Sequence, residues 1–236
     1  MDKMMDDVYF KKTFSMVMGC KRSFLSDTML ELLNNPDFIL NHSSTQIIQN
    51  NFKSKVGIVN VDDKKLVIKR HNYKSQWHKF RRYFRPTRAC RNWHYSNLLQ
   101  SKGVLVPAPV GFVEQRIGLL RGMSHFIYEY VEGITGESYF KQHLDCPEKI
   151  DQGMDMVVSL VLKIKDLGLI HGDIRMSNLI FKDNKLWLLD FDDIRKRSWY
   201  KAQRTKNRDI RGLKKDIFYN IPPTLQNKFL DRLSSF

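Results

Sequence analysis

The sequence predicts an α+β protein of two lobes, a small β-rich N-lobe over residues 1–130 and a mainly helical C-lobe over residues 131–236. Three observations lead there. Between Thr45 and Tyr130, short apolar runs of strand length recur between polar and Gly-containing breaks. From Glu148 to Leu167 the period becomes that of a helix, with Met154, Val157, Val158, Val161, Leu162 and Ile164 on one broad face. Between the two halves, Val131-Glu132-Gly133 reads as a linker.

With 236 residues and 42% apolar content the chain can bury a proper core. Its apolar run Met156–Leu162 stops at Lys163, Lys165 and Asp166, far short of a membrane span. Met1–Asp7 mixes acid with base, and Phe10–Met18 leads to no small-residue cleavage site, so no export signal is read and a cytoplasmic location is expected. Cys20, Cys90 and Cys146 lack any paired spacing and are expected to be reduced and structural. The net charge of +15 implies attraction to nucleic acid, to an anionic membrane face or to a phosphorylated substrate.

In chain order, residues 1–42 offer scattered aromatics and a helix from about Asp27 to Leu33, with no visible chemistry. Thr45–Gln49, Val56–Val61 and Leu66–Ile68 form a three-stranded meander with turns at Asn50-Asn51 and Asp62-Asp63. Lys69 follows directly, where a buried strand presents one charge to a ligand or, on the plainer reading, simply ends among surface lysines.

Between Lys64 and Val113 there is no Asp or Glu, while Lys and Arg are dense from Lys79 to Arg91 and interleave with Tyr73, Trp77, Phe80, Tyr83, Phe84, Trp93 and Tyr95. Such an unbalanced run repels itself unless something anionic lies against it, so binding to an anionic surface is favoured over a solvated basic face. Thr87 caps a helix to about Lys102, with Tyr95, Leu98 and Leu99 at core spacing and Gly103 as its stop. Val110–Val113 and Ser124–Tyr130 are two further strands around a turn at Arg116–Gly122.

Beyond the linker and the 148–167 helix, Gly168 delivers the chain into His171. Leu179–Phe181 and Leu186–Leu189 flank a polar turn, Lys182-Asp183-Asn184-Lys185, and read as a β-hairpin. Asn178 before the first strand and Asp190 after the second are then expected to be neighbours. One amide and one carboxylate suit Mg2+, which takes few protein oxygens and fills its remaining positions with water or phosphate. Asp173, five residues before Asn178, stands close enough to orient a hydroxyl nucleophile. After Asp192 the chain is again basic to Lys215, and from Asp216 it is helical in pattern with a break at Pro222-Pro223.

His171-Gly172-Asp173, Asn178 and Asp190-Phe191, preceded by a strand-end Lys69, resemble the protein-kinase-like fold over about residues 44–216. Leu66–Arg70, Arg85–Trp93, Gly103–Pro109 and Leu186–Asp192 resemble the lipopolysaccharide core kinases, which phosphorylate Kdo or heptose. The resemblance implies ATP-dependent phosphorylation of a sugar on an anionic glycolipid, the lipopolysaccharide inner core, by a cytoplasmic protein peripheral to the inner-membrane surface. It implies that Lys69 holds the ATP α and β phosphates, that Asn178 and Asp190 hold Mg2+, and that Asp173 accepts or orients the acceptor hydroxyl. Glu129, Tyr130 and Val131 would offer backbone groups to adenine, and His171 would brace the loop.

The departures from the protein-kinase pattern are specific. With no acid in 64–113, the helix after Lys69 has no glutamate to pair with it, and Glu114 is a substitute. The connection from Gln49 to Gly57 lacks a glycine-rich loop, leaving Lys53 and Lys55 to contact phosphate, and no Ala-Pro-Glu follows Asp192. The alternatives are a small atypical protein kinase, an antibiotic phosphotransferase, and a non-catalytic pseudokinase or basic nucleic-acid-binding module. Nucleic acid is the less favoured partner.

Overall fold

A computed structural model describes residues 7–72, 86–197 and 208–234. The aromatics Tyr73, Trp77, Phe80, Tyr83 and Phe84 of the basic stretch, and Lys201, Arg204 and Lys206 after Asp192, lie outside the described residues. The chain forms two compact units, Met1–Leu98 with Pro107–Tyr130, and Leu99–Val106 with Val131–Phe236. Residues 99–106 group with the second unit because Lys163 Nζ donates to the Gly103 carbonyl (2.7 Å) and Leu188 N–H to that of Leu105 (3.0 Å).

The first unit is built on seven antiparallel strands: β1 (Val8–Lys12), β2 (Met16–Lys21), β3 (Gln46–Asn50), β4 (Ser54–Val61), β5 (Lys64–His71), β6 (Pro109–Ile117) and β7 (Leu120–Glu129), in spatial order β1-β2-β6-β7-β5-β4-β3. The meander is β3-β4-β5: β3 is shifted one residue along from the expected Thr45–Gln49, β4 starts two residues before Val56, and β5 runs beyond Leu66–Ile68 on both sides. Two strands, β1 and β2, and a helix, α2 (Pro36–Asn41), lie in the stretch from which only α1 (Asp27–Asn34) is legible. Residues Arg116–Gly122 are a correction: the strands run through them and close in a two-residue loop, since backbone pairing tolerates the exposed charges that signalled a turn.

Period-2 alternation gives this sheet two apolar faces. One packs Met18, Leu66, Ile68, Val113 and Ile127 against Met29, Leu32, Leu33 and Leu40 of α1 and α2. Ser26 caps α1 by accepting from Met29 N–H at 3.1 Å. Asp37 ties α2 to the sheet, accepting from His125 Nε2 and Arg70 Nη1, both at 3.1 Å. The His125 hydrogen bond, with Arg70 beside it and burial opposing, holds the Asp37 carboxyl down at about 2. The other face packs Val17, Phe112 and Phe126 against Ala89, Cys90 and Trp93 of α3 (Arg88–Ser101), whose first turn Thr87 caps at Cys90 N–H. The buried stripe of α3 is Ala89, Asn92, Ser96 and Leu99; Tyr95 and Leu98, expected in the core, are only half-buried.

The second unit contains β8 (Ile134–Thr135), α4 (Gly136–Gln142), α5 (Pro147–Asp166), β9 (Leu169–Ile170), β10 (Leu179–Lys182), β11 (Lys185–Leu188), β12 (Arg195–Lys196), α6 (Arg208–Asn220) and α7 (Pro223–Ser234). Pro147 opens α5 at its first turn, and Ile150, Met154, Val157, Val158, Val161 and Ile164 are buried along it, each contributing about 1.5–3 kcal/mol. Phe140 of α4 sits at an aromatic centre, 5.9 Å from the Phe181 ring and 5.3 Å from Phe229 of α7. Helix α6 starts eight residues before Asp216, where the sequence pattern alone placed helical character. Its Ile210, Leu213 and Ile217 are buried, so its basic residues are the solvent side of an amphipathic helix. The three cysteines are free thiols.

Candidate active site

In the second unit, α5 ends at Gly168 and β9 leads into the loop His171–Asn178, which passes through a 3-10 turn, Met176–Asn178, into β10. The hairpin β10–β11 closes on Asp183 (φ 49°) and Asn184 (φ 53°), a pair of positive-φ residues as a type I′ loop requires. Lys182 therefore pairs with Lys185 and Leu179 with Leu188. This corrects the expected register by one residue: Asn178 stands opposite Leu189, whose N–H donates to the Asn178 carbonyl at 2.9 Å, and Asp190 comes next. Asp190 adopts φ 61°, a left-handed conformation that Asp tolerates, and its Oδ1 accepts from Asp192 N–H at 3.2 Å. The chain thus turns sharply at Asp190, immediately beside the end of the hairpin.

Asn178 Nδ2 donates to the Asp173 carbonyl at 3.0 Å, so the side chain closes its own loop and its remaining polar atom is an oxygen. Asn178 and Asp190 accordingly present an all-oxygen set, which fits a hard divalent cation such as Mg2+. Asp173 is partly exposed and accepts from Arg175 Nε at 2.7 Å.

His171 is wholly buried, and its Nε2–H donates to the Leu189 carbonyl at 3.2 Å, fixing the tautomer. Burial pushes its pKa below the usual histidine range, against the opposing charges of Asp209, Asp190 and Asp173. A neutral, buried imidazole packed edge-on to Phe191, 5.7 Å between rings, braces the loop against the hairpin. Gly172 has φ +89°, and a Cβ there would stand 3.0 Å from both the Asp193 Cβ and its carbonyl oxygen, so the loop can pass this close only as glycine.

Two residues that sequence reasoning missed hold the loop from behind. Asp209 accepts from His171 N–H (2.8 Å) and Gly172 N–H (2.7 Å), and Asp216 accepts from Met176 N–H (2.6 Å). They lie seven residues apart, two turns along the inward stripe of α6. The signal was present: two carboxylates occupy the apolar stripe of a helix otherwise basic. An open cleft of about 450 Å³ runs beside Asp173, lined by Gly172, Arg175, Arg208, Lys215 and Tyr219 among others.

The first unit holds Lys69, Glu129 and Tyr130, and Val131 is the first residue of the second unit after β7. Lys69 is buried on β5, registered between Val56 of β4 and Phe126 of β7, on the face that α3 covers. Asn92, on the buried stripe of α3, has Nδ2 3.4 Å from Nε2 of His71, two residues beyond Lys69. An amide–imidazole contact thus joins helix and strand here. Oε1 of Glu114, itself buried, takes Arg116 Nε at 2.6 Å and Arg121 Nε at 3.6 Å, so this carboxylate is engaged by two guanidinium groups. Glu129 and Tyr130 donate their N–H groups to the carbonyls of Ala108 and Lys65, both at 2.9 Å. Neither N–H is then left for a nucleotide, and Val131 remains the donor among the three.

The model of the lipopolysaccharide kinase (Kdo/WaaP) family matches residues 44–230. The chain is similar to the probable serine/threonine-protein kinase YbdM of Bacillus subtilis (strain 168), 24% identical over 147 residues, which are 60% of this chain and 55% of that protein. It spans about half the length of that curated relative. Among solved structures it is similar to one described as WaaP in complex with acyl carrier protein, with a TM-score of 0.60 and 15% identity over 90% of this chain and 88% of that one. The likeness shows the fold, an N-terminal antiparallel sheet and a helical C-terminal part.

Proposed function

The chain belongs to the lipopolysaccharide kinase (Kdo/WaaP) family, and on that premise we propose that it is an ATP-dependent phosphotransferase acting on a sugar hydroxyl, that of Kdo or heptose in the lipopolysaccharide inner core. The observation that carries this reading is the braced loop: Asp173 and Asn178 are bonded to each other, Asn178 to the hairpin, and Asp190 follows one residue on. Phosphoryl transfer depends on positioning and charge neutralisation more than on covalent help, and a loop tethered to Asp209, to Asp216 and to the hairpin supplies positioning.

Asp173 would orient the acceptor hydroxyl and draw its proton as the oxygen attacks. Arg175, whose Nε donates to Asp173 Oδ1, keeps that carboxylate aimed. Asn178 and Asp190 would hold Mg2+, which when bound neutralises the charge on the transferring phosphate. Lys69 of the first unit would hold the α and β phosphates, and Val131 N–H with the linker carbonyls would meet adenine. The cleft with Arg175, Arg208 and Lys215 would admit the acceptor, its cations suiting an anionic sugar. A lipid-anchored acceptor places the enzyme at the cytoplasmic face of the inner membrane; no helix among the described residues is long and apolar enough to cross a membrane.

The test is transfer of labelled phosphate from Mg-ATP to purified inner-core acceptor. Asp173→Ala should abolish transfer and leave the melting temperature unchanged; full turnover by that variant would remove Asp173 from the mechanism. The similarity to a probable serine/threonine-protein kinase motivates the second reading, a protein kinase. Labelled polypeptide with no labelled lipid would establish it instead.

A further inference from the structure

Two hairpin tips lie side by side at one end of the first unit's sheet. Thr13-Phe14-Ser15 joins β1 to β2, and Gly118-Leu119 joins β6 to β7. Arg116 N–H donates to the Ser15 carbonyl at 2.7 Å and Gly118 N–H to that of Phe14 at 3.0 Å, so the tips are clasped together. Gly118 has φ +60° at the position where a type II′ loop places glycine, and a Cβ there would lie 3.2 Å from the Phe14 ring. The close approach of the two tips depends on that glycine.

This clasped pair holds its side chains outward. Phe14 is 74% exposed, Ile117 71% and Leu119 75%, with Leu120 beside them. Among the described residues of these two hairpin tips, the solvent-facing charges are of one sign. Lys11 and Lys12 are exposed, Arg116 and Arg121 flank the second tip, and the acid nearby, Glu114, is 1% exposed and engaged by those two arginines. Residues 8–17 and 115–122 contain no acid.

We propose that the paired tips are a membrane-docking element, inserting Phe14, Ile117 and Leu119 into the apolar layer of an anionic lipid surface while Lys11 and Lys12 meet its headgroups. An apolar point with a basic collar and no acid is the pattern an anionic interface selects. A protruding pair of loops finds no complementary pocket in a flat protein surface but sinks into a deformable one. The clasp also presents the apolar groups already ordered, so little conformational freedom is lost on insertion. This deepens the glycolipid reading, on which it rests for the identity of the surface.

The experiment is co-sedimentation of the full chain with vesicles containing phosphatidylglycerol, and with vesicles of phosphatidylcholine alone, alongside turnover of a delipidated, water-soluble acceptor. The parent chain should partition onto the anionic vesicles and be released by salt. Phe14→Ser with Leu119→Ser should partition about tenfold or more weakly, from the apolar area withdrawn. Lys11→Gln with Lys12→Gln should lose about tenfold and show a shallower salt dependence. Leu119→Asp alone, at a largely exposed loop position, serves where the double variant folds poorly. All of these should turn over the soluble acceptor at the parental rate. Undiminished vesicle binding by the Phe14/Leu119 and Leu119→Asp variants overturns the proposal, as does tip-dependent binding to an acidic protein with none to vesicles. Tip-dependent vesicle binding by a chain without any turnover would instead leave the docking surface standing and sink the kinase reading.

Discussion

Asp209 provides the sharpest test of how the site is held. Its two carboxylate oxygens accept the N–H groups of His171 and Gly172 at 2.8 and 2.7 Å, and His171 is wholly buried. A hydrogen bond to a charged group is worth about 1.5–3 kcal/mol, and a buried donor left without a partner is costly. Asp209→Ala should therefore cost about 3–5 kcal/mol. At about 2–4 °C per kcal/mol for a chain of this size, the melting temperature should fall by roughly 10 °C. Asp209→Asn keeps one acceptor oxygen and sets an NH2 group against the second N–H, so it should lose about half as much. On the role proposed for Asp173 at the acceptor hydroxyl, its displacement by even an ångström should lower kcat by about a hundredfold. Hydrogen exchange at the His171 and Gly172 amides, read beside kcat and melting temperature, checks each step. Parental kcat together with parental exchange at those amides in Asp209→Ala would refute the bracing role.

Asp37 should govern the acid limb of stability. Its folded pKa is held below the ordinary 3.8 at about 2, so the stabilisation is present above 3.8 and is lost as pH falls through that interval. Asp37→Asn should cost about 1–2 kcal/mol at neutral pH, after discounting for partial exposure, and should flatten the acid limb in urea denaturation. Gly172→Ala should lower kcat and cost about 1–3 kcal/mol, since the new Cβ meets Asp193 at 3.0 Å with φ +89°; an unchanged rate and melting temperature would show that the loop can shift at no cost. Asn178→Ala and Asp190→Ala should each raise the Mg2+ concentration for half-maximal turnover by about tenfold or more, measured by Mg2+ titration at fixed ATP.

Local pattern determined what could be read in advance. The strands β4, β5, β10 and β11 and the helix α5 announce themselves by period, and Asp173, Asn178 and Asp190 by spacing along a loop and hairpin that are contiguous in the chain. β1 stayed hidden because it is an edge strand whose side chains are mostly exposed, so it shows no apolar alternation. The expected pairing of Asn178 with Asp190 missed by one because the apolar runs Leu179–Phe181 and Leu186–Leu189 differ in length, so matching their ends skips a residue, whereas the centre of the turn at Asp183 and Asn184 pairs Asn178 with Leu189. Asp209 and Asp216 stand out on the apolar stripe of α6, but the pattern does not say what they hold. They act on backbone 37 to 40 residues away, and no local periodicity reports such a contact. The partner question at Lys69 was legible as an absence of acid; that Asn92 meets His71 beside it was not.

The tethers from α6 also impose an order in time. A chain emerging from the ribosome presents His171, Gly172 and Met176 well before the carboxylates that hold them, which follow 38 and 40 residues later. Until Asp209 has emerged, the N–H groups of His171 and Gly172 have no anchor, that of Met176 waits for Asp216, and closing so long a loop depends on the helix that supplies both. The residues of the sheet unit are thus all synthesised before the loop can be fully held, so its strands can pair before the loop is braced.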